Sequence, residues 1–129
     1  MSSDDGLQAT YTRELLSQHL CTATFTGVEP GREPMLRIFP PQPPKQWATF
    51  TIEAYERHEK PGKYGDERQT SFAFVAEEQP EFAAQVLATL SPGARVKIAW
   101  RHDYVTRREA EGGGSSSYPE RVVELLEML

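Results

Sequence analysis

The chain is poor in the residues that staple, ligate or span. Cys21 is its single cysteine, so no disulfide can form within it, and a reducing compartment is the default. One thiol cannot build a structural zinc site either. The three histidines, His19, His58 and His102, are scattered without ligand spacing. No Gly-x-Ser-x-Gly elbow presents a serine nucleophile. No apolar run approaches the roughly 18 residues of a membrane span. The opening Met1-Ser2-Ser3-Asp4-Asp5 is acidic and lacks the basic and apolar regions of a signal peptide, which leaves cytoplasm or nucleus as the expected location. Basic residues are in deficit: Lys+Arg total 14 against Asp+Glu 19, a net charge of -5. That balance argues against a dedicated binder of duplex nucleic acid, which would present a strongly basic face.

What is present suits one domain over residues 1–129, large enough to fold without staples. Residues 1–9 are expected to be disordered. Leu15, Leu16 and His19/Leu20 fall at helical spacing behind Thr10 or Thr12 as N-cap, which predicts a short leading helix over Tyr11–Leu20. From Leu20 to Val28 the pattern alternates and is rich in threonine, a strand signal. Met35–Phe39 is expected to pair briefly as an edge segment. Pro40-Pro41-Gln42-Pro43-Pro44 excludes helix and central strand, because proline lacks the amide donor. Trp47–Arg57 resumes strand character, with Phe50, Ile52 and Ala54 on one face and Thr49, Thr51, Glu53 and Tyr55 on the other. A polar hairpin loop over His58–Arg68 leads to a strand over Gln69–Ala76.

Pro80–Leu90 carries the strongest helix pattern. Proline suits the first turn, Glu77, Glu78 and Glu81 complement the positive helix end, and Phe82, Val86, Leu87 and Leu90 recur on one side. Ser91-Pro92-Gly93 stops it. Ala94–Thr106 is a strand with Val96, Ile98 and Trp100 alternating against Lys97, Ala99 and Arg101. Residues 109–117 hold a Gly/Ser run and read as a flexible loop. Residues 118–129 fit either a helix or a closing strand. The strand is preferred, because a Gly-rich connection from the longest strand implies a partner beside it.

The resulting order is strand, strand, strand, helix, strand, strand. It resembles the OB-fold superfamily, a mainly β, five-stranded Greek-key barrel with one helix between the third and fourth strands. The phrase Leu90-Ser91-Pro92-Gly93-Ala94-Arg95-Val96-Lys97-Ile98 looks like the helix-turn-strand entry of such barrels. Trp100-Arg101-His102-Asp103-Tyr104-Val105-Thr106, with Tyr118-Pro119-Glu120-Arg121, looks like a family-level motif without a named function. The resemblance implies a non-enzymatic binding module for single-stranded nucleic acid, held by a basic groove and stacking aromatics. Lys97, Arg101, Arg107 and Arg108 would neutralise phosphates, and Tyr104 and Tyr55 would stack on bases. The competing view of these residues is a solvated outer face of alternating charge with Trp100 in the core.

A second functional class is a protein-protein module or assembly subunit. Pro40, Pro43 and Lys45 fit the Pro-x-x-Pro-x-basic pattern that aromatic grooves read, and an exposed strand edge would serve as well. A hydrolase built on His102 is the reserve reading. His102 and Asp103 are neighbours on a strand and so point to opposite faces, which keeps them from acting as a pair. No cofactor and no metal are expected.

Overall fold

A computed structural model describes residues 9–31, 45–110 and 112–129. The fold is mainly β: one five-stranded antiparallel sheet and one helix. The strands are β1 (Thr10–Pro30), β2 (Gln46–Glu59), β3 (Ser71–Val75), β4 (Arg95–Arg108) and β5 (Ser115–Met128), and the helix α1 (Pro80–Thr89) lies between β3 and β4. The sheet order is β3-β2-β1-β4-β5. Both edges, β3 and β5, therefore belong to one sheet, and no ladder joins them among the described residues. The closed barrel expected from the sequence would need that ladder.

The long central strand is the main departure from expectation. Residues 11–20 are not helix but the first half of β1, paired with β4 from Thr10↔Arg108 to Thr24↔Arg95. The physical reason is a β-bulge. The register slips between Leu15 and Ser17, so Leu16 and Ser17 are both buried although adjacent. The bulge leaves Leu16 and His19, three residues apart, both buried, which imitates the i, i+3 spacing of a helix. The C-terminal segment is strand, as preferred. It begins at Ser115 rather than after the loop: Ser115, Ser116 and Ser117 pair with Arg108, Arg107 and Thr106. The flexible loop expected over 109–117 thus shrinks at its C-terminal side, because the serine backbone is taken into the ladder. The expected disordered start falls outside the described residues apart from Ala9. The edge segment Met35–Phe39 and the proline run lie outside them entirely.

The core lies on one face of the sheet and under α1. Cys21, Ala23 and Phe25 of β1 meet Ala48 and Phe50 of β2, Phe72 and Phe74 of β3, and Val96, Ile98 and Trp100 of β4, closed by Val123 and Leu126 of β5. Burying the Phe, Val, Ile and Leu side chains among them stabilises by about 1.5–3 kcal/mol each. α1 contributes Val86 and Ala83, with Leu90 just past its end. Leu87, expected in the apolar stripe, is instead 74% exposed. Proline in the first turn starts the helix, and Gly93 in the left-handed region (φ 96°) turns the chain into β4. Among the described residues no helix is long and apolar enough to cross a membrane.

Candidate functional site

The six residues first assigned to a nucleic-acid surface do not share one surface. Lys97 and Arg101 alternate away from Val96, Ile98 and Trp100, as expected. Each carries an acidic partner: Lys97 Nζ lies 3.4 Å from Glu56, and Arg101 Nε donates to Asp103 at 2.8 Å. Arg107 lies on the same face and pairs with Glu109 at 3.2 Å. Tyr104 and Arg108 alternate onto the opposite face. Tyr55 is the clear correction, since it points inward rather than outward. Two of the three slips in the β1–β2 register skip Glu56 and then Glu53, so the alternation changes phase on either side of Tyr55. Its ring packs against the core, its hydroxyl accepts a hydrogen bond from the Gln69 amide at 2.9 Å, and burial raises its pKa. Ala54, expected inside, is exposed. Of the alternative residues, Lys45 bonds Glu78 at 3.3 Å, while Pro40 and Pro43 lie outside the described residues.

Past the core, β1, β4 and β5 run on together as a three-stranded ribbon. Register gives it two distinct faces. On one, Arg107 sits between Tyr11 and Ser116, and Val105 between Arg13 and Tyr118. Tyr11 and Tyr118 are exposed aromatics. Sequence reading gave neither a binding role: residue 11 was placed on a helix, and Tyr118 was read only as the start of the closing strand, in a motif without a named function. At the base of this face, Asp103 and Glu120 are direct cross-strand neighbours. Arg13 relieves the repulsion, with Nη1 at 3.2 Å from Asp103 and 2.6 Å from Glu120. Asp103, only 1% exposed, thus accepts from two guanidiniums, those of Arg13 and Arg101. His102 and Asp103 indeed point to opposite faces.

The inward side holds a second constellation, which spacing alone did not reveal. Ser17, His19 and His102 are buried there, and the loop between β2 and β3 closes over them. Ser17 Oγ lies 2.9 Å from His19 Nε2 and accepts from the Asp66 amide at 3.0 Å. His58 Nε2 donates to the Asp66 carbonyl at 2.9 Å. The Asp66 carboxylate takes a two-point contact from Arg121 (2.7 and 2.6 Å) and faces His102 Nδ1 at 3.5 Å. His19 and His58 are cross-strand neighbours with ring centroids 5.1 Å apart. All three histidines therefore gather at one end of the core, around Asp66.

Burial pushes the His19 pKa down to about 4, against the pull of Asp66 and with the help of His58, His102 and Arg121. His102 is lowered for the same first reason, again opposed by Asp66. Burial disfavours the charged form of Asp66, but the hydrogen bonds and charge of Arg121 outweigh it and hold its pKa below the usual value. Near neutral pH the cluster thus sets the neutral imidazoles of His19 and His102 beside one paired carboxylate. Among the described residues no group of three or more His, Cys, Asp or Glu side chains could hold a metal ion. Cys21 is a buried thiol, pushed up to about 12 by burial, and so chemically quiet. The signal for the Ser17–His19 pair was its i, i+2 spacing, which acquires meaning only once residues 10–30 are seen as one strand.

A groove opens where the 60–70 loop meets the ribbon. It measures about 670 Å³ and is lined by Leu16, Tyr64, His102, Tyr104 and Pro119, with Lys63 and Glu14 as its charged members.

No family model matches the chain, no curated protein resembles it, and no solved structure does so.

Proposed function

We propose that the protein is a non-enzymatic binding module of the OB type and that its partner is another protein. The OB assignment is supported by the sheet order β3-β2-β1-β4-β5 with α1 following β3. In such a barrel β3 and β5 stand side by side. Here a cleft of about 380 Å³ is lined by Ala73, Phe74 and Val75 of β3 and by Tyr118, Pro119 and Arg121 of β5, which sets the two edges facing one another.

The observation that carries the choice of partner is charge compensation. On the outer β4 surface and the ribbon face that continues it, the basic side chains are already paired: Arg95 with Glu53, Lys97 with Glu56, Arg101 and Arg13 with Asp103, Arg107 with Glu109. Only Arg108, on the opposite face, lacks a carboxylate partner among the described basic residues of β4. A phosphate chain would have to displace these carboxylates and would release few counterions. A protein partner needs no net positive field. Exposed tyrosine next to arginine, as at Tyr11–Arg107 and at Arg13–Tyr118 flanking Val105, is the composition in which interface binding energy concentrates. Ser17 and His19 have no exposed surface, so a substrate cannot reach that pair while the loop is seated.

The test is site-specific photo-crosslinking from position 11 in cells. A discrete protein adduct that survives nuclease treatment and is lost in Arg107→Ala/Tyr118→Ala is the expected result. Micromolar binding of a labelled oligothymidylate at about 50 mM salt, weakening steeply as salt rises, would instead assign the surface to single-stranded nucleic acid.

A further inference from the structure

The groove beside the 60–70 loop lies on the face opposite the tyrosine–arginine ribbon surface and is built independently of it. Its walls come from two sources. Register places Glu14 and Pro119 on either side of Tyr104, and alternation puts these on the same face as the buried His102. The loop supplies Lys63, Tyr64 and Gly65. Its volume, about 670 Å³, falls within the range of small-molecule sites, roughly 300–1,000 Å³.

The loop wall is held in place before any ligand arrives. Gly65, at φ 128°, packs directly over the bulge: a Cβ there would lie 2.4 Å from the Leu16 carbonyl oxygen. The next residue, Asp66, is bonded through its amide to Ser17, through its carbonyl to His58 and through its carboxylate to Arg121. A wall fixed at four points loses little freedom on binding.

The lining specifies the occupant. Two phenol rings, a proline, a leucine and the buried imidazole offer aromatic and apolar contact. Tyr64 is 68% exposed, and Lys63 Nζ stands 5.3 Å from its ring centroid. That lysine is singular. Lys45, Lys60 and Lys97 each have a carboxylate partner, in Glu78, Glu67 and Glu56. Lys63 has no carboxylate within ion-pair distance among the described residues. An ammonium without a counter-charge, poised on an aromatic ring at a groove of aromatic and apolar walls, matches a ligand that is aromatic at one end and anionic at the other. Glu14, the other charged member of the lining, repels a second negative charge and so fixes which end of the ligand meets Lys63.

We infer that this groove binds a planar aromatic carboxylate, its ring against Tyr64, Tyr104 and Pro119 and its carboxylate on Lys63. The inference does not rest on the protein-partner reading, because Lys63 and Tyr64 are not on that surface.

The experiment is a titration of the full chain with 2-naphthoate, followed by amide NMR shifts, with uncharged 2-naphthol as comparison. Saturable shifts centred on Leu16, Lys63–Gly65, His102 and Tyr104 are expected. Lys63→Gln should weaken 2-naphthoate about fivefold, the upper worth of one exposed charge pair, and leave 2-naphthol unchanged. Tyr64→Ala should weaken both. Both substitutions sit on an exposed loop, and an unchanged spectrum elsewhere verifies the fold. Absence of saturable shifts at millimolar probe, shifts centred elsewhere, or equal loss of both probes in Lys63→Gln would overturn the assignment.

Discussion

The imidazole of His19 lies flat on the indole of Trp100, with ring centroids 4.5 Å apart and planes 7° from parallel. Phe72 stacks on the same indole at 3.9 Å, so one histidine is treated as part of an aromatic core. The arrangement favours the neutral ring, since protonating it would bury a charge among apolar neighbours.

That relationship makes stability depend on pH with a definite sign. The folded pKa of His19, about 4, lies below the unfolded value of 6.5. Between these values the unfolded chain binds more protons than the folded one. The stability is therefore fully present above pH 6.5 and is lost as pH falls toward 4. About 2 kcal/mol should be missing at about pH 5 relative to neutrality. The lowered pKa of His102 acts in the same direction. Urea unfolding at the two pH values measures the loss, and His19→Phe should shrink it. A variant that retained the full pH dependence would show that His19 is not its source.

The same face shows what could and could not be read in the residues. The strand with Val96, Ile98 and Trp100 and the helix after Pro80 were legible, because no irregularity interrupts their periodic signal, whereas the C-terminal strand, whose register skips Glu124, was legible through the Gly-rich connection that precedes it. Residues 11–20 were misread because the bulge at Leu16 changes the phase of alternation. Tyr55 was placed on the wrong face because two such slips, at Glu53 and Glu56, bracket it. In both cases the backbone ladder, a non-local property, overrode a local pattern. The histidine cluster was illegible for the same reason. His19, His58 and His102 share no spacing in the chain and meet only through the pairing of β1 with β2 and β4, beneath a loop that brings Asp66.

Gly65 should tolerate no side chain, whereas Gly93 should tolerate one at modest cost. Both have positive φ, but a Cβ on Gly93 meets nothing within 4 Å, while on Gly65 it meets the Leu16 carbonyl at 2.4 Å. Gly93→Ala should cost about 1 kcal/mol through backbone strain. Gly65→Ala should cost clearly more, about 3 kcal/mol, because backbone must move as well. Thermal unfolding of the two variants side by side decides it. Equal losses would mean that the loop does not press on β1 as described.

Asp66→Asn separates the latch from the fold. The amide side chain keeps the size and the backbone bonds to Ser17 and His58, but it gives up the charge facing Arg121. Arg121 is half exposed, so the pair is partly screened and the loss in stability should stay near 1 kcal/mol. The local effect should be larger than the global one. Amide exchange at Gly65 and Asp66 should quicken, while exchange at Ile98 and Trp100 follows only the global loss. Uniform acceleration across the sheet would show that the loop and core open together.

Gln79 offers the sharpest test of how the open side of the sheet is held. Its side chain reaches the β5 backbone, Nε2 donating to the Arg121 carbonyl at 3.3 Å and Oε1 accepting from the Val123 amide at 3.4 Å. One residue past the 3-10 turn that follows β3, it does with an amide side chain what a neighbouring strand would do with its backbone. A free edge of this kind is otherwise a site for wrong pairing. Gln79→Ala should cost about 1 kcal/mol, in keeping with two long hydrogen bonds, and should speed exchange of the Val123 amide selectively. Gln79→Glu keeps the acceptor for Val123 but loses the donor to Arg121, so its Val123 protection should survive. If both variants lost that protection equally, the Oε1 contact would not be what guards the edge, and covering by α1 through the Gln85–Leu126 hydrogen bond would be left as the protection.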